Sequence, residues 1–136
     1  MKHRTPTQNS KYYIPKEEYL TAIHYSLRYP LLQEEYKFGA DTSKAITYDK
    51  EKVQTSNDFC STEEIAIRLA EIKQKIDLID DTLIEAAGEV LAPYIKFSVC
   101  FGMTYVQLQT TKDMPCGQRH FYELRRKYYY LLSKKI

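Results

Sequence analysis

The feature that most constrains the fold is a regular apolar repeat in the middle of the chain. Seven apolar residues recur at alternating spacings of four and three positions: Ile65, Leu69, Ile72, Ile76, Ile79, Leu83 and Ala86. Such spacings place every member on one stripe of an α-helix. Ser61 and Glu64 match a capping box at its start, and Gly88 follows its end. The sequence therefore predicts a helix over residues 61–87.

This apolar stripe has two interpretations, a helix packed inside its own bundle or one strand of a coiled-coil homodimer. In a parallel dimer Arg68 would face Lys73, which repels it, whereas Lys75 would face Asp80, which attracts it. Further apolar side chains lie off the stripe and favour burial within the chain: Ile67, Leu78 and Ile84. Packing inside the bundle is therefore the favoured interpretation, and a homodimer through the 61–87 helix is kept as the alternative.

The N-terminal part is rich in tyrosine and is predicted to be helical before a long loop. Pro15 suits the start of a helix, and Pro30 ends it because the residue before a proline avoids helical geometry. A short helix over residues 31–38 follows, with Gly39 as its C-terminal cap. Residues 40–60 are polar and weakly patterned, and we expect a loop there.

Three more helices are predicted after Gly88, over residues 89–101, 104–110 and 118–133, with Thr104 as an N-cap. We divide the chain into three segments: 1–60, the tyrosine-rich helical segment and loop; 61–101, the long helix and a packing helix; and 102–136, a helix-turn-helix segment. The predicted fold class is all-α, a helical bundle with a long central helix and a C-terminal helix-turn-helix.

The formal charge of +2 hides an uneven distribution. Residues 61–92 hold three basic and eight acidic residues, a net of −5, and residues 118–136 hold six basic and one acidic residue, a net of +5. A basic end of this kind is typical of polyanion binding. The alternative is that the acidic and basic segments pair with each other inside one bundle.

The basic C-terminal helix has two faces when it is read at about 100° per residue. One face is apolar and should pack on the core: Phe121, Leu124, Tyr128, Leu131 and Leu132. The other face and the helix end are polar, and they predict a surface for double-stranded DNA: Gln118, Arg119, Tyr122, Glu123, Arg125, Arg126, Lys127, Lys134 and Lys135. Arg119 and Tyr122, near the helix start, suit base edges, and the other cations suit phosphates.

The stretch from Met114 to Leu132, which reads MPCGQRHFYELRRKYYYLL, resembles the C-terminal segment of phage and mobile-element late transcriptional regulators of the ArpU/RinA type. The segments from Tyr12 to Pro30 and from Tyr48 to Ser56 also look like this set. The resemblance implies a sigma-factor-like helix-turn-helix whose recognition helix opens at Gly117. It further implies a phage or prophage transcription regulator that binds specific DNA sequences, with RNA polymerase as a protein partner.

Other functions find little support in the sequence. Cys100, Cys116 and His120 offer three zinc ligands without a fourth, and Asp77, Asp81 and Glu85 read as a solvated acidic face. We find no nucleophile with a base beside it, so we expect no enzyme, catalytic residue, metal or cofactor. No apolar run is long enough to cross a membrane, and three cysteines without a framework spacing fit the cytoplasm. The rival function is a helical assembly protein with no nucleic-acid role; single-stranded nucleic-acid binding through the tyrosines ranks below both.

Overall fold

The computed structural model describes residues 11–49 and 58–136, and the side chains of residues 11–39 and 63–136. These residues form five helices and no strand: α1 (Lys16–Leu27), α2 (Tyr29–Asp49), α3 (Asp58–Phe101), α4 (Tyr105–Lys112) and α5 (Gln118–Lys135). The predicted all-α class is confirmed. Within the described part of the chain, no helix has the length and apolar character needed to cross a membrane.

The long central helix is confirmed, with one boundary shifted. α3 begins at Asp58, so Ser61 lies inside the helix and is not its N-cap. At Gly88 the backbone leaves helical geometry, with φ 79° and ψ 167°, and α3 is kinked there. The break predicted at Gly88 is therefore present.

The helix predicted over 31–38 is present, but its predicted end at Gly39 is wrong, and the loop predicted over 40–60 is wrong at the residues of that range that the structure describes. α2 continues through Gly39 to Asp49, and residues 58–60 already belong to α3, while residues 50–57 lie outside the described residues. Gly39 is not a cap. A Cβ atom built on it would lie 2.6 Å from Cδ2 of Leu69, so the glycine allows close packing of Leu69 against α2. A glycine needed for close packing looks the same in the sequence as a glycine that ends a helix.

The chain forms two compact units. The first joins the chain up to Tyr29 with Ile79–Ile136, and the second is Pro30–Leu78. In the first unit α1 packs on α5 through tyrosines, with the rings of Tyr19 and Tyr129 edge to face at 5.4 Å. Ser26 donates its hydroxyl proton to the carbonyl of Ala22, so it accepts from the Tyr128 hydroxyl at 2.8 Å. Tyrosine thus supplies both apolar area and polar contacts to this core.

A second polar cluster in the first unit is centred on Asp80 of α3. The hydroxyl of Tyr29 donates to both carboxylate oxygens of Asp80, at 3.1 and 3.2 Å, and the Lys96 ammonium donates to one of them at 3.0 Å. The same ammonium lies 4.2 Å from the centre of the Tyr29 ring. This cluster joins Tyr29, the first residue of α2, to both sides of the Gly88 kink in α3.

The apolar stripe of α3 is buried unevenly. In the first unit Ile79, Leu83 and Ala86 are buried, and in the second unit Ile72 is buried. Other members of the stripe in the second unit are half-exposed: Ile65, Leu69 and Ile76. The expectation that Ile67 and Ile84 are buried is wrong, since they are 56 % and 47 % exposed. Both lie off the stripe, and a helix that packs along one stripe leaves its other faces in solvent.

Candidate nucleic-acid interface

The C-terminal segment is two helices joined by a short link whose geometry follows from local side-chain bonds. Thr104 caps α4, as predicted. Its hydroxyl accepts from the Gln107 N–H at 3.2 Å, and the Gln107 side-chain oxygen accepts from the Thr104 N–H at 2.9 Å. This reciprocal cap satisfies two N–H groups that the first turn of α4 would otherwise leave unpaired. After α4 the chain turns at Asp113, which has a left-handed backbone with φ 49°.

Tyr105 holds α4, the link and α5 together. Its hydroxyl donates to the Cys116 carbonyl at 2.9 Å, and its ring lies 5.4 Å from that of Phe121. Met114, inside the link, is also buried. Since these contacts fix the link just before Gln118, the start of α5 has a defined position relative to α4.

The inner face of α5 agrees with the sequence prediction. Phe121, Leu124, Tyr128 and Leu132 are buried, and Leu131 is half-exposed. Tyr129 is buried as well, although it was not assigned to this face. Burial raises the pKa of the Tyr129 hydroxyl, and the charge of Arg125 opposes that rise. The packing of α1 on α5 accounts for the additional buried tyrosine, because Tyr19 of α1 lies against it.

The outer face of α5 presents charges to solvent. Gln118, Arg119, Glu123 and Arg126 are exposed, as expected for the polar face. Two ion pairs occur among the residues that the structure describes, Lys96–Asp80 and Lys135–Glu85, and neither involves Arg119 or Arg126. These two guanidinium groups therefore keep their hydrogen-bond donors available for a ligand.

Three of the predicted DNA-binding residues are half-buried in the fold. Tyr122 is half-buried, with its ring 5.1 Å from that of Phe121. The Arg125 guanidinium lies over the Tyr122 ring at 4.9 Å and is also half-buried, as is Lys127. Arg125 thus combines stacking on an aromatic ring with a partly exposed charge.

The two lysines at the end of α5 point to different surroundings. Lys134 lies over the Tyr130 ring, with its ammonium 4.1 Å from the ring centre. Lys135 forms an ion pair with Glu85 at 2.7 Å and donates to the Thr82 hydroxyl at 3.2 Å. Lys135 therefore joins the basic helix α5 to the acidic stretch of α3. Such a pair is expected if the acidic and basic segments of the sequence pair with each other inside one bundle. An exposed pair of this kind is worth about 0–1 kcal/mol.

The segment that precedes α1 lies beside the outer face of α5, and sequence reasoning did not assign it there. The Tyr12 ring packs against that of Tyr130 at 5.7 Å. Lys11 and Tyr12 line an open groove of about 220 Å³ together with Arg119, Glu123 and Arg126. The available signal was the tyrosine-rich, basic composition of the N-terminal segment, but its spacing gives no indication of which helix it meets.

The residues weighed as metal ligands do not come together. Among the residues that the structure describes, no three His, Cys, Asp or Glu side chains lie close enough to hold a metal ion. Cys100 is buried, and burial raises the pKa of its thiol to about 12. Since the thiolate is the form that binds metals and attacks substrates, burial disfavours both roles for Cys100.

Comparisons of the chain with models of protein families, with curated proteins and with solved structures give no match.

Proposed function

We propose that this chain binds double-stranded DNA in a sequence-specific manner through the outer face of α5, and that it regulates transcription as a phage-type regulator. The observation that carries the proposal is the exposure of Arg119 and Arg126 on one face of a helix whose opposite face is buried. A helix held to its own core on one side is free to enter a major groove with the other.

The order of the elements supports a helix-turn-helix interpretation. A short helix, a link fixed by Tyr105 and a longer basic helix follow one another at the C-terminal end of the described chain. In such a unit the start of the second helix contacts base edges, and the residues further along meet the phosphates. Arg119 is the second residue of α5, and Arg126 lies two turns further on.

The distribution of charge favours nucleic acid over a neutral partner. Residues 118–136 have a net charge of +5, and one of their six basic residues, Lys135, is paired with an acidic residue among those described. Binding to a polyanion releases counterions in proportion to the phosphates that the protein neutralises. The proposal therefore predicts duplex binding that weakens steeply as salt rises.

The test compares two arginine variants on selected and scrambled duplexes over a series of salt concentrations. We expect Arg119→Ala to cost about 1–3 kcal/mol at the preferred sequence and to reduce the preference between sequences. Arg126→Ala should weaken binding to all duplexes alike and lower the salt slope by about one. Arg28→Ala removes another exposed charge, at the C-cap of α1, and serves as the control. Wild-type protein that binds no duplex at low salt would contradict the proposal.

A second candidate, assembly into a homodimer, is favoured by a groove in the second unit. This groove of about 320 Å³ lies between α2 and α3, and Phe38, Ile65, Leu69 and Ile72 supply its apolar walls. Phe38 is 74 % exposed. Glu35 and Arg68 also line it, so a copy related by a two-fold axis would offer each charge its opposite.

Sedimentation over a range of protein concentrations tests the dimer. Phe38→Asp places a charge in the groove and should make the chain monomeric at every concentration. Val90→Asp is the matched control, because Val90 is 76 % exposed and belongs to the first unit. A wild-type chain that remains monomeric at high concentration would remove this candidate without affecting the proposed DNA binding.

A further inference from the structure

The groove beside the outer face of α5 combines three cations with a single carboxylate. Lys11 comes from the segment before α1, whereas Arg119 and Arg126 come from α5, and Glu123 is the carboxylate among the lining residues. All four side chains are exposed. Separate chain segments thus bring an excess of positive charge to one concave surface, which favours an anionic ligand.

Tyr12 gives Lys11 a defined place in this groove. Its ring packs on Tyr130 of α5 at 5.7 Å, and the Lys11 ammonium lies 5.5 Å from the centre of the Tyr12 ring. Ile14, two residues further on, is 2 % exposed and anchors the same segment in the core. Because the segment is attached at both Tyr12 and Ile14, Lys11 is held near α5 before any ligand binds.

We propose that Lys11 and Arg126 bind a backbone phosphodiester of duplex DNA next to the bases that Arg119 contacts, with Tyr12 as the positioning residue that keeps Lys11 beside α5. This inference rests on the proposed function and adds to it a second chain segment that holds the DNA backbone against α5. Guanidinium groups match the geometry of phosphate oxygens, and an ammonium adds a compact charge. The groove, of about 220 Å³, has room for a phosphate group.

The distinguishing consequence concerns Tyr12, which carries no charge. If Tyr12 acts by positioning Lys11, then Tyr12→Ala should lower the salt slope of DNA binding by about one, as Lys11→Ala does. We expect each variant to weaken binding by about threefold to tenfold at moderate salt, and the double variant to be no weaker than either single one. A residue that merely stabilised the fold would leave the salt slope unchanged.

The experiment measures binding of a fluorescent, mixed-sequence duplex to the full chain at several salt concentrations. Lys16→Ala and Tyr13→Ala are the matched controls, since both residues are exposed and neither lines the groove. Circular dichroism of each variant confirms that it is folded. A second arm replaces the duplex with inorganic tripolyphosphate, which offers the same phosphoryl oxygens without a DNA strand.

The outcomes separate this inference from the proposed function. Wild-type binding to the duplex with unchanged slopes in Lys11→Ala and Tyr12→Ala would overturn the inference and leave the DNA-binding function standing. Absence of duplex binding together with tight, Lys11-dependent binding of tripolyphosphate would overturn the DNA function and identify a free phosphate ligand as the occupant. Parallel losses of slope in the two variants, with both controls unaffected, would support the phosphodiester site.

Discussion

The two compact units use one apolar stripe of α3 in different ways. In the first unit Ile79 and Leu83 are at most 1 % exposed, and the unit also contains the buried tyrosine pair of α1 and α5, Tyr19 and Tyr129. In the second unit Ile65 and Leu69 of the same stripe are half-exposed and line a groove. The comparison teaches that the periodicity of a stripe predicts a helix and the face it presents, whereas burial depends on how much other surface packs on that face.

The two units also differ in the pKa values of their side chains. Every described group whose pKa is clearly displaced belongs to the first unit. Burial raises the pKa of Tyr128, and the hydroxyl is held in the core by its bond with Ser26. Closed packing therefore gives the first unit several acids that must remain protonated, and this makes its stability dependent on pH.

Alkaline pH should produce the largest effect, and it should act on the first unit. Burial raises the pKa of Cys100 from 9.0 to about 12 and raises those of Tyr128 and Tyr129 above their ordinary value of 10.0. In the unfolded chain these groups lose their protons first. The contribution of Cys100 is therefore complete below pH 9 and is lost as pH rises from 9 through 12, and that of the two tyrosines is complete below pH 10 and declines above it. We expect chemical denaturation to show a steep decline in the free energy of unfolding over this range.

Cys100→Ala sharpens the alkaline prediction. It removes the more deeply buried of the two described thiols, so the decline between pH 9.0 and pH 10.0 should become shallower, and most of the loss should begin near 10.0, where the tyrosines begin to ionise in the unfolded chain. Tyrosinate absorbance followed in the same samples should rise together with unfolding. Constant stability from pH 9 to pH 12 would show that the first unit is less closed than its burial indicates.

The next largest effect comes from truncating the stripe at one position in each unit. Ile79→Ala should cost about 2–5 kcal/mol, because Ile79 is fully buried and its cavity cannot collapse easily. Leu69→Ala removes a similar apolar volume from a half-exposed position and should cost about 1 kcal/mol. Thermal and urea unfolding of both variants measure the difference. If the two variants lost the same free energy of unfolding, and if the loss in Leu69→Ala increased with protein concentration, a second copy of the chain would be closing the groove in solution.

The sequence predicts the helices of the first unit well because their signals are local. The cap at Thr104, the break at Gly88 and the inner face of α5 each follow from residues a few positions apart. The candidate site is predicted in part for the same reason: the exposure of Arg119 and Arg126 is a consequence of helical periodicity.

The features that the sequence does not predict depend on contacts between distant segments. Tyr12 meets Tyr130, and Lys135 meets Glu85, across separations that periodicity does not describe. The error at Gly39 has the same origin, since the close approach of Leu69 decides what that glycine does. A single sequence reports the pattern of one helix but not the identity of the segment that covers it.

Substitutions at two glycines should have smaller effects than Ile79→Ala, and they give the sharpest contrast between the units. Gly88, in the first unit, has φ 79° and ψ 167°, a backbone conformation that costs other residues about 1–3 kcal/mol. No atom lies within 4 Å of the Cβ that Gly88→Ala would add, so the expected loss of stability is entirely conformational. Unfolding of this variant by urea measures that loss.

Gly39, in the second unit, is helical, and Gly39→Ala should gain about 1 kcal/mol of helix propensity. The added Cβ would lie 2.6 Å from Cδ2 of Leu69, so that side chain must move. Leu69 is half-exposed beside the groove, and the end of its side chain can rotate into that space. We therefore expect the gain in helix propensity and the cost of moving the Leu69 side chain to offset each other, with a net change in the free energy of unfolding below about 1 kcal/mol. A loss as large as that of Gly88→Ala would mean that the groove is closed around Leu69, and the contrast between the two units would then disappear.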